Sequence, residues 1–115
     1  MVFDRQHLRT MCDEDEAFER EILGAFLDSA GGLMARMATA LDAKDAAGIR
    51  AAAHGLKGSS RSMGGLDLGE ACARLEIAAA SDLSEAAVAL DRVQGEYQRL
   101  VAEVIAHLGN LDRAA

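Results

Sequence analysis

The chain has 115 residues, enough for one domain with one core and too few for two ordinary domains. Half of it is hydrophobic, but only 3% is aromatic and none is proline, so Ala, Leu, Val and Met must carry the packing, a mixture that favours helices over strands. A net charge of −7 argues against a nucleic-acid partner. No window reaches the roughly 18 apolar residues of a membrane span, so no membrane association is expected.

The N-terminal stretch MVFDRQHLRTMCDEDE is too polar for a signal peptide, and a cytoplasmic location is the expectation. Within it Val2, Phe3 and Leu8 suggest a short helix lying across one end of the fold. From Asp13 to Leu41, Ile22, Phe26, Ala30, Leu33, Met37 and Leu41 recur at steps of three or four, the pattern of an amphipathic helix. The turn DAKD leads to a second helix over Asp45–Met63, with Ile49, Ala52, Ala53, Leu56, Ser60 and Met63 on its apolar face and Gly64 as its terminator.

A third helix over Leu66–Ala80 aligns Leu68, Cys72, Leu75 and Ala79, which makes Cys72 a packing residue. Neither Cys12 nor Cys72 has disulfide-scaffold or CxxC spacing, and both are read as reduced thiols. The last helix, Ser84–Leu108, carries Ala86, Leu90, Val93, Tyr97, Leu100 and Val104 along one seam. Met34, Met37 and Met63 read as ordinary core, and His107 as a solvated cation near the last helix's C-terminus. Four amphipathic stripes with short turns predict an all-α, antiparallel up-down four-helix bundle with a short N-terminal helix, occupying residues 1–115 as a single domain and a monomer.

The second helix is unusual on its other face. Interior glycines cost about 0.5 to 1 kcal/mol relative to alanine, yet Gly55 and Gly58 flank the sequence around His54. With Ile49 at zero on a helical wheel, His54 falls near 140°, away from the packed stripe, beside Lys57 at about 80°, Arg50 at about 100°, Arg61 at about 120° and Gly58 at about 180°. Helical side chains lean toward the N-terminus, so glycine at position 58 leaves the imidazole uncovered, and Gly55 lowers the adjacent ridge for a partner's backbone. A free imidazole is mostly neutral at pH 7 and offers a nitrogen lone pair as a nucleophile. A phosphoryl group attached there would have its charge offset by Arg50, Lys57 and Arg61.

The string HGLKGSSRSMGGLDLGEACARLE, residues 54–76, resembles the histidine-containing phosphotransfer (HPt) domain of multistep phosphorelays, carried by His54, Lys57-Gly58-Ser59-Ser60, Gly64, Leu68, Cys72 and Leu75-Glu76 at ungapped offsets. The preceding FLDSAGGLMARMATALDAKD is similar to the family's first long bundle helix. The resemblance implies a four-helix bundle in which His54, through Nε2, takes a phosphoryl group from a receiver-domain aspartate and passes it to another receiver. It also implies that Lys57 meets the phosphoryl oxygens, Gly58 gives access for docking, Ser59 sits at the boundary of the site, and Glu76 hydrogen-bonds the other imidazole nitrogen. Ser60 points inward on the wheel and is assigned to packing or backbone hydrogen bonds.

The implied partners are response-regulator receiver domains and a sensor, hybrid histidine kinase, with Mg²⁺ on the receiver and no cofactor on this chain. No P-loop or Asp-rich metal motif is present, so self-phosphorylation from ATP is not expected. His7, His54 and His107 lack metal-ligand spacing, and no metal site is predicted. Two rivals are a dimerising phosphoacceptor fragment of a histidine kinase and a helical adaptor that is never phosphorylated.

Overall fold

The structure, a computed structural model, describes residues 1–114. It contains five helices: α1 (Arg5–Met11), α2 (Glu16–Asp42), α3 (Ala46–Ser62), α4 (Leu66–Ser81) and α5 (Leu83–Ala114). Each begins or ends where the local chemistry directs. Asp15 accepts hydrogen bonds from the Ala17 and Phe18 amides, Asp45 from that of Gly48 and Asp82 from that of Ser84, which satisfies amides the first helical turn leaves open.

Helix α2 starts three residues later than Asp13, because Asp13 and Glu14 take left-handed conformations, φ 52° and 61°, in the turn out of α1. Helix α5 outruns the expected end at Leu108, since Leu111 continues its seam and is buried.

Helices α2 to α5 close a ring in which α2 packs on α3, α3 on α4, α4 on α5 and α5 back on α2. The inward residues match the expected stripes on α3, α4 and α5. On α2 the stripe is turned by one position: Leu23 and Ala40 are buried with Phe26, Ala30 and Met37, while Ile22, Leu33 and Leu41 are half-buried. Helix α2 meets both α3 and α5, so its contact face is wider than a single seam.

Length explains the N-terminal helix. At about 1.5 Å per residue α2 and α5 run roughly 40 to 48 Å, whereas α3 and α4 span only about 25 Å and leave one end of the long pair uncovered. Phe3, Leu8 and Cys12 fill that end and are buried. The arm is fastened by Asp4 N–H to the Gly64 carbonyl at 2.8 Å and by the N-terminal ammonium to Asp67 at 2.6 Å. Gly64 follows the Met63 C-cap at φ +96°, and a Cβ there would lie 2.5 Å from the Asp4 carbonyl oxygen, so both the turn and the arm require glycine.

His107 corrects its expectation as a solvated cation. Helix α5 continues past it, and its side chain is 13% exposed, with Nε2 3.0 Å from Oε1 of Glu19, itself 3% exposed. Phe3 meets the ring edge-on, with centroids 5.7 Å apart. Met37 and Met63 are core as expected, and Met34 is half-buried. Among the described residues no helix is long and apolar enough to cross a membrane.

Candidate functional site

Helix α3 buries Ile49, Ala52, Ala53, Leu56 and Ser60, and this stripe fixes what faces outward. The His54 side chain stands 72% exposed on the opposite side. A Cβ at Gly58 would have no atom within 4 Å, so the space over the imidazole is open. Gly55 is exposed, on the side of α3 toward α2. It faces Leu33 of α2, whose methyls would make ordinary contacts with an added Cβ at 3.6 and 3.8 Å, and an alanine would fit there.

The imidazole is oriented from the neighbouring helix. Glu76 on α4 places Oε2 3.3 Å from His54 Nδ1 and Oε1 2.6 Å from Lys57 Nζ. Burial alone would raise the Glu76 carboxyl, but the hydrogen bonds from Lys57 and His54 together hold it below its ordinary value. An ionised carboxylate can only accept, so the neutral ring donates through Nδ1 and leaves its lone pair on Nε2, the nitrogen turned from Glu76. The three side chains act as one unit: Lys57 keeps Glu76 charged, and Glu76 selects the nucleophilic nitrogen.

The carboxylate's titration gives a pH signature. A depressed folded value means that the stabilisation is complete above the ordinary value of 4.5 and is lost as pH falls through the lower folded value. Urea denaturation at stepped pH is expected to show a shallower acid-side loss of stability in Glu76→Gln than in the wild type. Equal slopes would mean that the Lys57–Glu76–His54 contacts are not populated in solution.

The basic patch is therefore less uniform than the sequence implies. Lys57 is mostly buried and engaged with Glu76. Arg50 and Arg61 are exposed and form no ion pair among the described residues. Ser59 donates to the Leu56 carbonyl at 3.3 Å and lines a groove between α2 and α3, which places it beside the site rather than on the imidazole. Ser60 is fully buried and its hydroxyl has no hydrogen-bond partner among the described residues, so its part is packing.

Beneath the patch, burial, with a contribution from Glu76, pushes the Cys72 thiol up to about 12 against the opposing pull of Arg61 and Lys57. Cys72 is thus a packing residue and not a nucleophile. Among the described residues no group of three or more His, Cys, Asp or Glu is placed to hold a metal ion. His7 gives its Nε2 to the Ser62 carbonyl at 3.1 Å, and His107 faces Glu19.

Sequence reasoning missed the apolar groove of about 320 Å³ along the α2–α3 seam, bounded by Met11, Ile22, Ala25, Phe26 and Met63 with Ser59 and Ser62. Its signal lay in apolar positions on separate helices, Met11, Ile22 and Ala25 among them partly exposed, which only packing brings together.

Residues 21–109 match the Hpt domain family. The fold is similar to histidine-containing phosphotransfer protein B from Pseudomonas aeruginosa, at 25% identity and a TM-score of 0.85 over 97% of this chain and 96% of that one. It is also similar to a histidine-containing phosphotransfer protein from Medicago truncatula, at 25% identity and a TM-score of 0.81 over 98% of this chain and 80% of that one. No curated protein matches.

Proposed function

This chain belongs to the Hpt domain family, and from that membership we propose that His54 is its phosphoryl acceptor. The family places it among the phosphorelay carriers of two-component signalling, phosphocarriers without an ATP site of their own that interact with receiver domains and histidine kinases. The observation that carries the assignment is the exposed His54 ring with Nδ1 held by Glu76 and no hydrogen-bond partner for Nε2 among the described residues.

The chemistry follows from that orientation. The Nε2 lone pair attacks the phosphorus of a receiver's aspartyl phosphate. An N–P bond forms as the acyl O–P bond breaks, and the aspartate leaves as a carboxylate. The ring, still protonated at Nδ1, carries positive charge in the product, and the Glu76 carboxylate 3.3 Å away offsets it. Reversal delivers the phosphoryl group to a second receiver. Mg²⁺ would be supplied by the receiver, where it would neutralise the phosphoryl oxygens.

Open space over Gly58 supports close approach of a partner backbone, and the groove along Met11, Ile22 and Phe26 offers apolar area beside it. One chain supplies all four helices of the bundle, which the dimerising two-helix rival does not need. The chain would act as a monomer in the cytoplasm, between a hybrid sensor kinase and a separate receiver.

The test is a reconstituted relay. Label on a phosphorylated receiver is expected to appear on this chain and then on a second receiver, while ATP alone gives none. Direct passage between the receivers with no labelled chain would overturn the proposal.

A further inference from the structure

Gly69 lies inside α4, is buried, and has none of the positive φ that sets Gly64 apart. The backbone does not require glycine there, and a helix interior disfavours it. The reason lies across the seam: a Cβ at position 69 would sit 2.8 Å from Cγ and 3.3 Å from Nε of Arg61. The stem of Arg61 therefore crosses from α3 to α4 through the notch that Gly69 leaves.

Two further observations give this seat a purpose. Arg61 shares the outward face with His54, two turns on at i+7, about 10 Å along the axis. Lys57 is bound to Glu76, whereas the Arg61 guanidinium, like that of Arg50, has no ion-pair partner among the described residues, and it is the Arg61 stem that is seated in the Gly69 notch. A fork anchored by its stem loses less freedom on binding than a free side chain, and its geometry suits a carboxylate. On a chain of net charge −7, a fixed local cation can also orient an incoming acidic surface.

We propose that Arg61, seated against Gly69, is a specificity-determining residue of phosphotransfer that receives an acidic side chain at the rim of the receiver's aspartate pocket. This rests on His54 being the acceptor. Its place on the same face of α3 puts Arg61 beside the reacting pair, where it docks the partner.

The experiment uses the full chain and, from a panel of phosphorylated receiver domains, the one that labels it fastest. Arg61→Ala is expected to raise the apparent KM for that receiver about tenfold, with kcat within about twofold, and to weaken its salt dependence. Gly69→Ala keeps the guanidinium but displaces its stem, and should raise KM about threefold. Circular dichroism confirms that both variants fold, as substitution by a stronger helix former predicts. An unchanged KM in Arg61→Ala, or a fall in kcat alone, would overturn the inference. Label on His54→Gln would instead overturn the acceptor assignment beneath it.

Discussion

A chain carrying His54→Gln is expected to take up no label from a phosphorylated receiver, where the wild type gains an acid-labile, alkali-stable phosphoryl group. Glutamine keeps the size and polarity of the side chain, and at a position 72% exposed it disturbs no packing, so the bundle should denature at the wild-type urea concentration. What it lacks is a nucleophile, because the lone pair of an amide nitrogen is delocalised into the carbonyl. The other two histidines offer no substitute: His7 is tied through Nε2 to the Ser62 carbonyl, and His107 is mostly buried on Glu19. Loss should therefore be complete rather than partial. Uptake by the variant at the wild-type rate would remove His54 from the mechanism.

His107→Ala is expected to cost about 1 to 3 kcal/mol of stability, the typical penalty for leaving a buried polar group without its hydrogen-bond partner. Glu19 is 3% exposed and His107 is the partner at 3.0 Å, so the variant leaves a buried carboxyl group without its partner. The ring's edge contact with Phe3 is lost as well, and with it part of the packing that seats the N-terminal arm. Urea denaturation at neutral pH reads the cost. Adding Glu19→Leu should recover part of it, since an apolar side chain of similar size leaves no buried polar group unpaired. A penalty below about 1 kcal/mol would mean that this end of the bundle is hydrated in solution. Under folding conditions the variant should still accept label, which separates the arm's structural role from the chemistry at His54.

Much of the architecture was legible before any coordinates. Apolar spacing placed α3, α4 and α5, with the ends of α3 and α4 right to within a residue, because capping by Asp45 and termination at Gly64 are local effects. The outward placement of His54 followed from the same periodicity, since a helix that buries Ile49, Leu56 and Ser60 must turn position 54 to solvent. The gap over Gly58 was legible for the same reason.

Contacts between helices were not. Glu76 was reached through family resemblance, but its simultaneous grip on His54 and Lys57 depends on the register of α3 against α4, which no single-helix pattern encodes. The Arg61 seat on Gly69 and the Glu19–His107 pair, 88 positions apart, are likewise matters of register. Sequence periodicity sets which face of each helix is apolar, because burial of that face is a local pattern summed along one helix. How the polar remainder pairs across a seam is decided only when whole helices slide and rotate into their closest packing, and that choice belongs to the tertiary structure.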